Sequence, residues 1–302
     1  MTTESVRSPA SIALSDRVPS CASVRVAPRP DEHAGGEVEL VELSADHPGF
    51  SDPDYRRRRN EIARLALDYV DGGDVPRVVY TEAEHGVWRE VWAHLRPLHA
   101  RYACREYLEA GERVRLDPQN VPQLADVNTL LRARDGFRLA PVAGLVSGRM
   151  FLSYLARRTF LSTQYMRHHN APLYTPEPDV VHELVGHACT LAHPSFTQVS
   201  ELFGQAALRS DDEAMTAVAR LYWYSLEFGL VRERGELKAV GAGLLSSYGE
   251  LARFEERAEL RPFDAKVIAD TPYDPTDYQA VLFVADSFTS MVDDIARHLE
   301  RL

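Results

Sequence analysis

The chain has 302 residues, 45% of them hydrophobic, which predicts a folded protein with a sizeable core. Acidic residues outnumber basic ones by 45 to 34, giving a formal net charge of −11. That balance argues against nucleic acid or an anionic membrane as a partner, because both select for clustered Lys and Arg. Three scattered cysteines favour a reducing compartment over a disulfide framework. No stretch approaches the roughly 18 apolar residues of a membrane span, and no signal-peptide region is visible, so we expect a cytoplasmic protein.

The amino-terminal part lacks helical or strand periodicity. Residues 1–38 are rich in Ser, Ala, Pro and Arg, a composition typical of a flexible tail. The remaining residues, 39–302, are expected to form one domain. Within it, the run Arg56-Arg-Arg-Arg59 is expected to lie on the solvated face of a helix.

Helix-start signals become regular after residue 50. Ser51 or Asp52 can cap a helix with Pro53 in its first turn. Thr81 and Glu84 form a capping box ahead of a second apolar stripe. Further helices are expected at about 120–136, 148–160, 195–208, 212–230 and 286–300, and short strands at about 138–142, 237–241 and 280–284.

The segment from His182 to His187 carries the most specific signal. Two histidines and a later carboxylate, here Glu227, can hold Fe(II) on one face and leave the other face open. A zinc protease places its second histidine four residues after the first, whereas here that position is Gly186. Five residues at about 100° each put the two histidines roughly 140° apart on a regular helix. We therefore expect the helix to end between them, at the glycine.

Spacing alone leaves zinc, manganese or no metal open. By residue type, His182 is more often a satisfied core histidine than a ligand. The absence of a thiolate disfavours a closed structural zinc site. Glu227 has mostly apolar neighbours, so its carboxylate needs a buried partner. Most other histidines, His33, His47, His85, His94, His99 and His298, are expected at the surface.

These residues belong to a longer pattern. The segment Thr175-Pro-Glu-Pro-Asp179-x-x-His-Glu-Leu-x-Gly-His187 resembles the pterin-dependent aromatic amino acid hydroxylases. Matching segments occur in unbroken order from about residue 45 to 300; they include Asp46-His-Pro-Gly-Phe50, Thr163-Gln-Tyr-x-Arg-His168, Tyr222-Trp-x-x-x-Glu-Phe-Gly-Leu230, Gly241-Ala-Gly-Leu-Leu-Ser-Ser247 and Phe283-Val-Ala-Asp-Ser-Phe288. The resemblance implies a mainly α-helical, single catalytic domain with minor short β-strands.

The resemblance also implies a chemistry. It is that of a monooxygenase that hydroxylates the ring of a free aromatic L-amino acid with O₂, Fe(II) and a tetrahydropterin, either tetrahydrobiopterin or a bacterial analogue. His182, His187 and Glu227 match the metal ligands. The positions that match substrate-binding residues are Arg167, Thr175, Pro176, Asp179, Trp223, Phe228, Gly243 and Ser246. The positions that match the pterin site are Val142, Gly144, Val146, Ser147, Phe151, Glu183 and Tyr222.

Arg167 is expected to grip the amino acid carboxylate, with Asp179 orienting it. A purely structural ion pair between these two residues is the alternative. The sequence also departs from the family pattern. Leu161 stands where animal relatives often have His, and Ala140 where an arginine is common. Ala188-Cys189-Thr190 replaces x-Pro-Leu, and the lost proline is expected to loosen the loop beside the second ligand.

L-Phenylalanine, converted to L-tyrosine, is the expected substrate. Val284 is taken to occupy a position where tyrosine-specific relatives carry an acid, and Trp223 matches the phenylalanine and tyrosine enzymes. The alternatives are 5-hydroxylation of tryptophan and, since Phe228 and Gly243 could set the ring tilt, meta-hydroxylation of phenylalanine. A 2-oxoglutarate oxygenase is disfavoured by ligand order, and a silent binding protein by the intact ligand set. Because the chain stops soon after an apolar stripe, we expect a monomer or a weak dimer.

Overall fold

The computed structural model describes residues 40–133, 136–275 and 277–302. The predicted tail, residues 1–38, lies outside these ranges. Helices dominate the described part, as predicted. The α-helices are α1 (Pro53–Leu67), α2 (Glu82–Tyr102), α3 (Arg105–Val114), α4 (Leu124–Arg132), α5 (Gly148–Leu155), α6 (Pro194–Arg209), α7 (Asp212–Tyr222), α8 (Ala242–Ser246), α9 (Tyr248–Leu251), α10 (Phe254–Arg257), α11 (Ala265–Asp270) and α12 (Phe288–Leu299). Two more helical segments are π-helices, whose turns are wider than those of an α-helix because their hydrogen bonds join residues five apart. They are the first π-helix (His182–Ala188) and the second π-helix (Trp223–Glu227).

Local capping signals fix the first two helices. The Asp52 carboxylate accepts hydrogen bonds from the backbone N–H groups of Asp54 and Tyr55, which confirms the predicted start of α1. Thr81 and Glu84 form the predicted capping box of α2. In the described part of the chain, no helix is both long enough and apolar enough to cross a membrane.

The strands form two small sheets. One is a parallel pair, and the other has four strands in the order β4-β3-β6-β5. The strands are β1 (Arg138–Pro141), β2 (Thr159–Ser162), β3 (Leu230–Glu233), β4 (Glu236–Ala239), β5 (Glu259–Pro262) and β6 (Val281–Ala285). The three predicted strands correspond to β1, β4 and β6. The expected helix at 148–160 is wrong at its end, because β2 begins at Thr159 and pairs with β1.

The two π-helices contact or connect several other elements of the fold. The first π-helix packs against α8, and the Tyr107 hydroxyl of α3 donates a 2.9 Å hydrogen bond to the backbone oxygen of Val185. The second π-helix continues directly from α7, and β3 follows it. The expected helix over 212–230 therefore contains three elements. Through these elements the chain passes from α7 to β3 of the four-stranded sheet.

Candidate metal centre

The first π-helix explains how His182 and His187 face one point. We expected an α-helix that ends at Gly186, and this expectation is wrong. The helical turns continue through the glycine, and the segment closes hydrogen bonds between residues five apart. Residues with that separation lie on the same side of a π-helix, so the wider turn removes the angular offset that an α-helix would impose. Both histidines thus point to one side without a break in the helix.

Gly186 has a packing role instead. A Cβ atom built on it would lie 2.8 Å from the backbone oxygen of Ala242 and 3.0 Å from the Ala242 Cβ. The first π-helix and α8 therefore approach each other more closely than a side chain at this position allows. This close approach brings Ser246, at the end of α8, beside His182.

The second π-helix supplies the carboxylate. The Phe228 N–H donates to the backbone oxygen of Trp223, five residues earlier, at 2.8 Å. At the end of this wide turn, Glu227 points towards the two histidines. Its Oε1 lies 3.0 Å from the His187 Nε2, and its Oε2 lies 3.7 Å from the His182 Nε2.

The three side chains fit a metal ion. The two Nε2 atoms of His182 and His187 lie 3.0 Å apart, which matches the spacing of His187 from Glu227. Ligands at right angles around an ion, with bonds of about 2.1 Å, lie about 3 Å from each other. A facial set of two imidazoles and one carboxylate, without a thiolate, suits Fe(II). These residues could therefore hold a divalent cation on one face.

Ser246 fixes which nitrogen of His182 is free. The Ser246 hydroxyl donates to the backbone oxygen of Ala242 at 2.8 Å, so it accepts a hydrogen bond from the His182 Nδ1–H at 2.9 Å. The His182 Nε2 is then unprotonated and faces the His187 ring. Such an outer hydrogen bond sets the tautomer and the orientation of a ligating histidine.

The electrostatics of the cluster differ between the two histidines: burial opposes a charge on His187, yet the adjacent Glu227 holds its pKa above the ordinary value. Burial, followed by the proximity of His187, lowers the pKa of His182 to about 4. Burial opposes ionisation of Glu227, yet the adjacent His187 holds the pKa of this carboxylate below its ordinary value. Burial raises the pKa of Glu183 to about 7, although the Thr163 N–H and hydroxyl both donate to it at 3.1 Å.

A cavity of about 200 Å³ opens next to the three ligands. Its walls combine apolar side chains with the ligands, and it contains most of the predicted pterin positions. The predicted pterin residues that line it are Val142, Gly144, Val146, Phe151, Glu183 and Tyr222. Ser147 is not among the lining residues; its hydroxyl caps α5 by accepting from the Met150 N–H at 3.2 Å. The edge of the Phe151 ring packs against Tyr222, with a 5.6 Å separation between ring centroids.

One wall of the cavity is aromatic. Trp223 and Tyr273 both line it, and their rings stack 4.3 Å apart with an 11° interplanar angle. Phe228 lies behind Trp223 with its ring centroid 4.7 Å away, and a Cβ on Gly243 would lie 2.6 Å from the Phe228 Cζ. Tyr273 was not predicted to belong to the site, because it lies in a loop whose sequence has no periodicity.

Arg167 and Asp179 form a buried, two-pronged ion pair. Arg167 donates from Nε to Oδ2 and from Nη2 to Oδ1, each at 2.8 Å. Neither residue lines the cavity beside the ligands. Arg167 instead lines a second hollow of about 300 Å³ next to α1. Thr175, whose hydroxyl donates to the backbone oxygen of Glu177 at 2.7 Å, and Pro176 also lie outside the lining of the first cavity.

Several residues expected at the surface are buried. Arg59 is 2% exposed, because its guanidinium pairs with Glu177 at 2.7 Å and lies 3.3 Å above the Tyr165 ring. His47 is also buried, with its ring near Glu177. The His99 Nε2–H donates to the backbone oxygen of Leu245 at 2.6 Å, and burial lowers the pKa of His99 to about 4.

Two of the departures from the family pattern, Ala140 and Leu161, are adjacent in space. Ala140 of β1 pairs in register with Leu161 of β2, and the leucine lines the cavity. The expected loosening beside His187 stays a prediction, and the structure shows a continuous helical segment there. Because Cys189 is not proline, its N–H is present and donates to the backbone oxygens of Leu184 and Gly186, which continues the helix.

Val284, expected to influence substrate choice, lies outside the lining of the cavity. It belongs to β6, where it pairs with Leu230 and Pro262, and it does not line the cavity. Val284 is therefore not among the residues that face that space.

The chain is similar in sequence to a known family and to several of its relatives. Residues 37–302 match the family described as biopterin-dependent aromatic amino acid hydroxylase. Tyrosine 3-monooxygenase of Mus musculus is 46% identical over 266 residues, covering 86% of this chain and 53% of that protein. Protein henna of Drosophila melanogaster is 46% identical over 252 residues, covering 82% of this chain and 56% of that protein. The chain thus spans about half the length of these relatives.

Solved structures provide a second comparison. Phenylalanine hydroxylase of Chromobacterium violaceum, solved with iron(III) and 7,8-dihydrobiopterin, superposes with a TM-score of 0.70 at 30% identity. The match covers 79% of this chain and 90% of that one. Phenylalanine hydroxylase of Legionella pneumophila gives a TM-score of 0.67 at 28% identity, over 74% of this chain and 92% of that one.

Proposed function

We propose, from the premise that the chain belongs to the biopterin-dependent aromatic amino acid hydroxylases, that it converts L-phenylalanine to L-tyrosine. The observation that carries this proposal is the facial cluster of His182, His187 and Glu227 at the edge of an aromatic-walled cavity. The structural relatives named above are phenylalanine hydroxylases. The metal and the pterin follow from the family and from the donor set.

His182, His187 and Glu227 would hold Fe(II). Bound there, Fe(II) and a tetrahydropterin supply the electrons that split O₂, so that one oxygen atom enters the substrate ring and the other ends on the pterin. Ser246 keeps the His182 Nε2 available by accepting from the opposite ring nitrogen. His182, His187 and Glu227 all line the cavity, so the pterin and the substrate would meet beside them.

The pterin is assigned to the part of the cavity formed by 142–151 and Glu183. A flat heterocycle needs an aromatic face and hydrogen-bonding groups along its edge. Phe151 supplies the face, and the backbone beside Gly144 and Val146 supplies polar groups at the wall. Glu183 has a pKa of about 7 owing to its burial, so it can carry or release a proton close to neutral pH.

The substrate ring is assigned to the wall formed by Trp223 and Tyr273. Its carboxylate is assigned to Arg167 from the family resemblance. The Arg167 guanidinium lies outside the lining of this cavity, but it keeps N–H donors beyond those used by Asp179, whose Oδ1 also accepts from the His182 N–H at 3.2 Å. Among the described residues that line the cavity, the carboxylates are Glu183 and Glu227, and both have partners. The rest of the described lining is mostly apolar, which supports phenylalanine over a ring that already carries a hydroxyl.

Tyrosine 3-hydroxylation is the second candidate. It is favoured by the 46% identity to the mouse tyrosine 3-monooxygenase. A hydrophobic pocket rejects an added hydroxyl only weakly, by about a hundredfold, so slow turnover of tyrosine is compatible with the first proposal. Tryptophan 5-hydroxylation and meta-hydroxylation of phenylalanine are the remaining alternatives. Against an indole substrate stands the large ring of Trp223 in the cavity wall, which matches the phenylalanine and tyrosine enzymes.

The deciding experiment supplies the protein with Fe(II), tetrahydropterin and O₂, and with phenylalanine, tyrosine or tryptophan in separate reactions. Products are identified by chromatography and mass spectrometry against para-, meta- and ortho-tyrosine, 3-hydroxytyrosine and 5-hydroxytryptophan. We expect para-tyrosine with the highest kcat/KM. The control is His187→Ala, which should lose iron and product formation together, and which measures hydroxylation by free iron. Dominant 3-hydroxytyrosine, meta-tyrosine or 5-hydroxytryptophan would reject the phenylalanine assignment.

A further inference from the structure

The Gln279 side chain has all its polar groups engaged, although it lies in a loop. Its Oε1 accepts from the Trp223 Nε1–H at 2.9 Å. Its Nε2 donates to the backbone oxygens of Asp274 at 2.8 Å and Asp277 at 3.0 Å. The residue is 8% exposed, so water competes little for these bonds. One amide therefore joins the loop to itself and to the cavity wall.

The same loop, between α11 and β6, also supplies the stacking partner of Trp223. Tyr273 covers one face of the indole at 4.3 Å. The indole is thus held in two ways by one loop: by a ring on its face and by an acceptor at its edge. The Gln279 backbone N–H in turn donates to the Glu250 carboxylate of α9 at 2.9 Å, which ties the loop to the helical layer.

We infer that Gln279 is a positioning residue that sets the orientation of the Trp223 ring and, through it, substrate selectivity and the ring carbon that is hydroxylated. This inference rests on the proposed function. The indole N–H has one good direction for its hydrogen bond, so an acceptor fixed by two further bonds selects one rotation of the ring. A ring free to rotate would admit other aromatic side chains and other tilts of phenylalanine.

The first test replaces Gln279 by Leu, which removes the acceptor and both donors with little change in size. We expect the ratio of kcat/KM for phenylalanine over tryptophan to fall about tenfold, the lower end of pocket discrimination. The share of meta- and ortho-tyrosine should rise, while iron content stays at the wild-type level. Should Q279L fold poorly, Gln279→Asn keeps the amide but is too short to reach the indole, and the same changes are expected.

A matched control is Gln123→Leu. The Gln123 amide also makes two bonds, accepting from the Val78 N–H and donating to the Val78 backbone oxygen, both at 2.9 Å, but Gln123 lines neither cavity. This variant should lose stability and keep the wild-type product ratio. An equal change of selectivity in Q123L would reduce the role of Gln279 to general stability and overturn the inference.

A double-mutant cycle with Trp223→Phe separates positioning from a general effect on the loop. Phenylalanine has no N–H, so the selectivity change caused by Q279L should vanish in the W223F background if it acts through the indole. A selectivity change of the same size in both backgrounds would overturn the inference.

A measurement that needs no catalysis distinguishes failure of this inference from failure of the proposed function. The chain has three tryptophans, so nitrogen-15 labelling of the indoles gives three N–H resonances, and W223F assigns one of them to Trp223. In Q279L that resonance should shift and exchange faster with solvent. If the wild type hydroxylates none of the three amino acids, the proposed function fails, and the inference is judged by this resonance and by calorimetric affinities for phenylalanine and tryptophan. An unmoved resonance or an unchanged affinity ratio would overturn it.

Discussion

The Nε2 atoms of His182 and His187 face each other at 3.0 Å, although an α-helix would place residues of this separation on different sides. The π-helix makes the approach possible, and the tight contact of Gly186 with Ala242 holds that π-helix against α8. Two unprotonated imidazole nitrogens at this distance repel each other unless a proton or a cation lies between them. The same geometry would let both nitrogens bind one cation, and it depends on the packing of a glycine.

Gly186→Ala tests this dependence. The new methyl group would overlap the backbone oxygen of Ala242, which cannot move without shifting α8. We expect a loss of about 1–3 kcal/mol in the free energy of unfolding, together with weaker iron binding. Urea denaturation and metal analysis measure the two effects. Gly111→Ala is the control: it lies in α3, where a Cβ meets nothing within 4 Å, and it should stabilise by about 0.5–1 kcal/mol. A G186A protein with wild-type stability and iron content would show that the close approach is not needed.

Ser246→Ala tests the orientation of His182. The variant removes the acceptor of the Nδ1–H, so the ring can turn or change tautomer. Loss of such an outer partner typically costs 10–100-fold in metal affinity. Competition with a chelator of known affinity measures this. Ser210→Ala is matched, since its hydroxyl also donates to the backbone oxygen four residues earlier, at 2.8 Å, but touches no histidine. Equal iron affinity in the two variants would contradict the assigned role of Ser246.

Local and non-local features differ in how well the sequence predicts them. The cap of α1 and the capping box of α2 depend on residues three apart, and both were predicted. The strands β2 and β3 were not predicted, and each begins where an expected helix ends, because short apolar runs fit either structure and only their pairing partners decide. The clustering of the metal-site residues followed from the motif.

The remaining parts of the site lacked a sequence signal. A π-helix uses the same residue types as an α-helix, so the five-residue spacing suggested a helix end at Gly186 where the structure has a wider turn. Gln279 and Tyr273 belong to a loop, and only the folded chain brings them to Trp223. Buried Arg59 was misjudged because a run of arginines usually faces solvent.

Arg167→Lys tests the assignment of the substrate carboxylate. Lysine keeps the charge but loses the planar fork that can bind Asp179 and a second carboxylate together. A loss of about 2 kcal/mol corresponds to a KM for the amino acid about 30-fold higher, with unchanged iron content. Arg77→Lys is the control, because Arg77 grips Asp126 with two nitrogens at the surface, away from both cavities. A wild-type KM in R167K would leave only the structural role of the ion pair.

Glu250→Gln tests the pH dependence of the loop that carries Gln279. Burial, with a smaller contribution from Asp277, raises the pKa of Glu250 from 4.5 to about 7. The folded protein therefore keeps this proton where the unfolded chain has lost it, so stability falls as pH rises from about 4.5 to about 7 and changes no further above that. The full effect is about 3 kcal/mol. Glutamine keeps an acceptor for the Gln279 N–H but cannot ionise, so E250Q should gain stability over the wild type between about pH 5 and about pH 8. Urea denaturation of both proteins at these two pH values, at one ionic strength, measures the gain, and parallel changes in the two proteins would mean that the carboxyl does not titrate in this range.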